Sequence, residues 1–186
     1  ADGRGLALVG DYLYYVSTGD GAKIYEMNAS TGVLTSESGN RIRDNWGDIW
    51  NDISGIGVSP GGKIIVNRTN DPWAAIEVQT NGTYVAEHRQ PDAINLIDYS
   101  GLSLDGYSTT TDGVTINTLL WASGKQVLQY DTSNAIATQH QLTGIPNSAQ
   151  IKGISFGGNN IFIANADNGY IYKTSMGSSI SVTQDP

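Results

Sequence analysis

The chain has 186 residues, 39% of them apolar, with 23 Gly, no Cys and a formal net charge of −8 at pH 7. A chain of that length suits one domain and can bury a core, and its longest apolar runs, about four residues, fall far short of the roughly 20 that cross a bilayer. The acidic balance argues against a phosphate-binding surface, so nucleic acid is not an expected partner, and zero Cys removes disulfides, thiolate catalysis and Cys-based metal sites.

In chain order, Gly5-Leu6-Ala7-Leu8 predicts a first strand, Gly10-Asp11 a turn, Leu13-Tyr14-Tyr15-Val16 a second strand and Ile24-Tyr25-Glu26-Met27 a third. A polar fourth strand is expected near Val33-Leu34. Between 41 and 52, Ile42, Trp46, Ile49 and Trp50, with Ile53 beyond, recur at helical spacing, and Asp44, Asp48 and Asp52 form a second stripe, so a short amphipathic turn is expected there. The series then restarts. Gly55-Ile56-Gly57-Val58, Ile64-Ile65-Val66, Ala75-Ile76-Glu77-Val78 and Tyr84-Val85 make the second set. Gly101-Leu102-Ser103-Leu104, a turn at Asp105-Gly106, Leu119-Leu120-Trp121-Ala122, Val127-Leu128-Gln129-Tyr130 and Ala135-Ile136 make the third. Gly153-Ile154-Ser155-Phe156, Ile161-Phe162-Ile163-Ala164, Tyr170-Ile171-Tyr172 and a last strand over 180–182 make the fourth.

The four openings are separated by 50, 46 and 52 residues, within the range of four-stranded propeller blades. The predicted fold is therefore all-β, a β-propeller of four four-stranded antiparallel blades in one domain. The blades are expected over about 3–40, 53–90, 99–143 and 151–186, with 41–52 as an insertion. Gly at 5, 55, 101 and 153 suits strands that crowd near a central axis, and Trp121 aligns with core positions. The chain so read begins on an inner strand and ends on an outer one. That leaves a closed four-bladed ring as the first expectation, and a half-ring or fragment of a larger propeller, completed by a homo-oligomer, as the second.

The run Ile24-Tyr25-Glu26-Met27-Asn28-Ala29-Ser30-Thr31-Gly32, and more loosely Val127-Leu128-Gln129-Tyr130-Asp131-Thr132-Ser133, resembles the strand followed by Asp/Asn-x-x-Thr-Gly of PQQ-type and related β-propeller repeats. The resemblance implies architecture and no particular activity, because propellers of this kind include enzymes, lectins and scaffolds. Trp-rich motifs follow the repeat in quinoprotein enzymes. No Trp follows Thr31-Gly32, so a quinone is not expected, and no other cofactor is.

Several constellations resemble known kinds of site. Gly153-Ile154-Ser155-Phe156-Gly157 matches a nucleophile elbow, yet Ser155 aligns inside an inner strand with no helix after it. His88 and His140 occupy the same outer-strand position of two blades, which predicts separate, solvent-facing side chains and no metal pair. Asp20, Asp71 and Asp167 lie in equivalent hairpins where a carboxylate pair could act, although aspartate is also an ordinary turn residue. Asn165-x-Asp167-x-Gly169 is only faintly like an oxygen-ligand loop. The triplets at Asn28, Asn67 and Asn81 fit glycosylation acceptors but occur at about the number chance would give.

The candidate ligand-binding residues are Trp46, Trp50, Trp73 and Asp71: either Trp46 and Trp50 cap the propeller's core, or one or both stand exposed beside Trp73 as an aromatic platform for a sugar or a protein side chain. The expected function is non-enzymatic: a secreted or cell-surface binding propeller, adhesive or lectin-like, recognising a glycan or a protein. A carboxylate-using hydrolase or lyase is the alternative, and a structural subunit of an extracellular assembly the third reading.

Overall fold

Short alternating apolar runs bounded by Gly, Asp and Asn turns pair as antiparallel strands. The computed structural model describes residues 3–17, 21–35, 39–68, 74–89, 103–123, 125–146, 151–157, 160–165, 168–175 and 182–184. Two compact units emerge, Ala1–Arg89 and Gln90–Pro186. In the first unit, β1 (Gly3–Val9), β2 (Tyr12–Ser17), β3 (Lys23–Asn28) and β4 (Asn40–Arg41) form one sheet, and β5 (Ile53–Val58), β6 (Ile64–Arg68), β7 (Ala74–Val78) and β8 (Tyr84–Arg89) form another. In the second unit the sheets are β9 (Ser103–Thr111), β10 (Val114–Ser123), β11 (Gln126–Asp131) and β12 (Ile136–Gln141), then β13 (Ile151–Gly157), β14 (Asn160–Asn165), β15 (Ile171–Ser175) and β16 (Val182–Gln184). Each sheet keeps its strands in chain order, which is the blade topology the repeat predicts.

The first inner strand shows its alternation in its packing. In β1, Ala7 lies opposite Tyr14, whereas Leu6 and Leu8 lie opposite Tyr15 and Leu13, so the two sets point to opposite faces. Ala7, Tyr14, Val16 and Ile24 are buried in one cluster with Ile56, Ile64, Val66, Ile76 and Val78 of the second sheet. In the second unit, Leu120, Ala122 and Val127 cluster with Ile154, Ile161, Ile163 and Tyr172. In the first unit the small Ala7 of the inner strand thus faces the next blade, and Ile56 of that blade's inner strand faces back. Trp121 is fully buried, as its alignment requires, with its ring edge-on to Tyr130 at 6.0 Å.

The recurring glycines mark an interruption of the ladder. Register shifts fall between Gly3 and Leu6, Ile53 and Gly55, and Ile151 and Gly153, so a β-bulge opens three of the inner strands. Gly5 has φ +122 and leaves only 3.0 Å between the place of a Cβ and Ile56 Cγ2, so local backbone and neighbouring blade both demand glycine. Gly101 lies outside the described residues.

Three local expectations are corrected. The predicted turn at Asp105-Gly106 lies within β9, which continues to Thr111; the hairpin forms at Asp112-Gly113, with φ 52 and 77, the two positive values a type I′ turn needs. Val33-Leu34 supplies only a single bridge, Met27 to Leu34, and β4 at Asn40–Arg41 is the strand that pairs with Lys23 and Ile24. The helical spacing over 41–52 yields no helix. Ile42 N–H instead donates to Ala22 O, prolonging the pairing along the edge of the sheet, and the chain doubles back through a bridge between Arg43 and Ile49.

Candidate binding site

The loop between β4 and β5 is built by side chains that compete with helix formation. Asp44 Oδ1 accepts the backbone N–H groups of Trp46 and Asp48, both at 2.9 Å, and Gly47 turns the chain at φ +88. Arg43 Nη1 donates to Gly47 O at 2.6 Å, and Asp44 N–H to Asp48 O at 3.0 Å. With its polar groups so engaged, the loop holds Trp46 at its tip, 77% exposed. Trp50 takes the opposite role. It is 5% exposed within the first unit's core, the Arg68 guanidinium stands 4.9 Å over its ring, and Arg68 Nε meets Asp52 Oδ1 at 2.7 Å. Trp73 and Asp71 lie outside the described residues, as do Asp20 and Asp167.

A second element meets this loop. The β7–β8 turn is closed by Gln79 N–H to Thr83 O and Gly82 N–H to Gln79 O, both 2.8 Å, and by Thr83 N–H to Asn81 Oδ1 at 3.0 Å. Gly82, at φ +82, rests directly against the Arg41 carbonyl, where no Cβ fits. Together the two elements enclose an open groove of about 490 Å³, with Trp46, Arg41, Arg43 and Asn45 on one wall and Asn81 and Tyr84 on the other. An apolar indole face beside guanidinium, carboxamide, hydroxyl and phenol groups offers stacking together with donors and acceptors. Apart from Trp46, these groove residues were not expected as ligand contacts from the sequence, and Asn81 stood out only as a glycosylation triplet. The signal available was the insertion itself, which joins the outer strand of one blade to the inner strand of the next and so borders that blade's turns.

The other polar clusters join outer strands to their neighbours. In the second sheet, Glu77 Oε1 accepts Ser59 Oγ at 2.8 Å and Lys63 Nζ at 3.4 Å, while Oε2 lies 3.4 Å from His88 Nε2. Burial opposes ionisation of Glu77, but the Ser59, His88 and Lys63 contacts outweigh it and hold the carboxyl below its usual range. The carboxylate thus stands between serine and histidine, so the imidazole does not accept the Ser59 proton and no activated nucleophile results. The equivalent Glu26 accepts Tyr14 OH and Thr35 Oγ1, each at 2.6 Å, and is likewise lowered, first by Thr35 and then by Tyr14. Burial and then Glu26 push the Tyr14 phenol up to about 12. His140 lies 3.0 Å from Gln129 Oε1, and burial lowers its pKa.

The two histidines therefore do share one outer-strand position, but half-buried against the third strand where open solvent was expected. Ser155 is exposed within β13. Asn67 is buried in β6, while Asn81 is exposed at the groove. Among the described residues, no three His, Asp or Glu side chains are grouped to hold a metal ion, and no helix is long and apolar enough to cross a membrane.

The consecutive antiparallel blades define a β-propeller, and similarity to solved structures agrees. An auxiliary nutrient-binding protein from Bacteroides thetaiotaomicron is similar over 98% of this chain and 41% of its own, at 13% identity and a TM-score of 0.56. The β-propeller domain of Cps50 (Swd1) from Myceliophteria thermophila is similar over 100% of this chain and 71% of its own, at 11% identity and a TM-score of 0.51. This chain thus spans less than half of the first protein. No protein-family model and no curated protein matches the sequence, so the class is the propeller fold, without assignment to a family within it.

Proposed function

We propose that this propeller is a non-enzymatic binding module that works outside the cell and takes a glycan in the groove beneath Trp46. The observation that carries the reading is a large indole held in solvent by a loop whose polar groups are otherwise engaged. Ordinary packing buries Trp, as it does Trp50, and an exposed rigid indole offers a sugar ring a wide apolar face at little entropic cost. Asn45, Asn81, Arg43 and Tyr84 around it supply the donors and acceptors that fix sugar hydroxyls. Similarity to a nutrient-binding propeller supports the reading at the level of fold.

Titration with a panel of neutral and acidic oligosaccharides, followed by indole fluorescence, tests this. At least one saccharide is expected to change the emission, and Trp46→Ala to abolish that change and weaken binding about tenfold or more, equivalent to about 1.4 kcal/mol. A panel without response, or a response that Trp46→Ala leaves intact, overturns the reading.

A further inference from the structure

The groove beside Trp46 carries a charge unlike that of the chain as a whole. Asp and Glu total 18 against 10 Lys and Arg, yet the groove is lined by two arginines, Arg41 and Arg43, and by a single carboxylate, Asp44. The backbone puts both arginines there. Arg41 and Arg43 are exposed on either side of the buried Ile42, and alternation along an extended chain sends residues two apart, about 6.6 Å along the strand, to one face. These are also arginines whose charge the fold does not use. Arg68 meets Asp52 at 2.7 Å and Arg89 meets Glu87, so each of those guanidiniums is neutralised by a carboxylate. Arg41 instead donates Nη1 to Gly21 O at 3.2 Å, and Arg43 donates Nη1 to Gly47 O at 2.6 Å, carbonyls that hold the side chains without cancelling their charge. Among the described residues no carboxylate forms an ion pair with either. Asp44 keeps its Oδ1 on the N–H groups of Trp46 and Asp48.

We infer that the glycan taken by this groove is anionic, carrying a carboxylate or a sulfate ester that the guanidiniums of Arg41 and Arg43 meet while a sugar ring stacks on Trp46. The inference rests on the reading of the groove as a glycan site and adds the class of sugar. A guanidinium presents N–H donors in a planar fork that matches two oxygens of either anion, and such charge-assisted contacts are shorter and stronger than those to a hydroxyl. Asn45, Asn81 and Tyr84 remain for the sugar's hydroxyls. The chain's net charge of −8 repels anions in general, which makes this local pair the feature that selects one.

Calorimetric titration of the full chain compares a uronic-acid oligosaccharide with its methyl ester, and a sulfated oligosaccharide with its desulfated parent. Each pair keeps the sugar frame and removes the charge. In at least one pair the anion is expected to bind about tenfold or more tightly, and Arg43→Gln to lower that preference to about threefold or less, the scale of one charge-assisted contact. The pair that shows the preference names the anion. If Arg43→Gln disturbs the loop that its side chain helps to hold, Arg41→Gln carries the same comparison. Charged and uncharged members that bind alike overturn this inference and leave the glycan reading standing. A preference that survives both arginine variants also overturns it, because the anion is then read elsewhere on the chain. Failure of every charged saccharide to bind overturns it as well, and if the neutral ones are equally silent the glycan reading falls with it.

Discussion

The connection from first to second sheet and the connection from third to fourth begin alike and end differently. Ile42 N–H donates to Ala22 O in the first unit, and Leu142 N–H to Lys125 O in the second. Each then buries two plugs, Ile42 and Trp50 in one, Leu142 and Ile145 in the other. The second connection passes directly between its plugs, held by Lys125 Nζ to Ile145 O at 3.0 Å. The first interposes seven residues, 43–49, that carry Trp46 into solvent and border the groove. What the two connections share is required by packing, and what the first adds is where a ligand is to be sought.

The largest effect should come from the shared part. Trp50→Ala removes a buried indole and its contact with Arg68, and unfolding by denaturant should register a loss of about 3–5 kcal/mol. A loss below about 1 kcal/mol would mean that Trp50 is no plug. Next, Gly82→Val places a side chain against the Arg41 carbonyl at a positive φ, so a loss of about 1–3 kcal/mol is expected together with weaker ligand binding, because one wall of the groove moves. An unchanged melting curve would break the link between the two walls.

The second unit relies on a different tie. Asp105 is buried, and its Oδ2 accepts the Phe156 N–H across the blade interface at 2.7 Å while Oδ1 takes Gly106 N–H at 2.9 Å. Asp105→Ala leaves those donors without their acceptor and should cost about 1–3 kcal/mol, whereas Asp44→Ala, in the exposed loop, should cost less in stability and more in binding. Equal stability costs for the two would erase the contrast.

The smallest effects are in pH dependence. His140 has a folded pKa below 6.5, so as pH falls through 6.5 the unfolded chain takes up a proton that the folded chain resists, and stability drops until the folded pKa is passed. His140→Gln should flatten that step. Glu77, lowered in the fold, contributes stability above its ordinary pKa of about 4.5 and loses it as pH falls further, a step that Glu77→Gln should remove. Identical pH profiles in the variants and the parent would show that neither group is linked to folding.

The blades were legible because the alternation of Leu6, Ala7 and Leu8, repeated by Ile56, Gly57 and Val58, is at once the strand signal and the packing rule. The β9–β10 hairpin was misplaced because two Asp-Gly pairs compete, and the one at the spacing of the other blades is not the one whose backbone turns. The loop at 41–52 was misread because apolar residues near helical spacing over three turns fit a hairpin whose ends are both buried. Trp46 was legible as a ligand-binding candidate, but Asn81, which stood out only as a glycosylation triplet, and Tyr84 were not. Their place in the groove depends on Gly82 meeting the Arg41 backbone, a contact between segments forty residues apart that no local pattern encodes.

On the proposed reading, Trp50 serves folding and Trp46 serves binding. Calorimetric titration and thermal melting of Trp46→Ala, run on the same sample with the best saccharide of the panel, test it most directly. The account predicts an affinity at least about tenfold weaker and a Tm within about 2 °C of the parent, as expected for a side chain that buries almost nothing. A Tm lowered by 10 °C or more, on the order of the shift a buried indole gives, or an unchanged affinity, would contradict it.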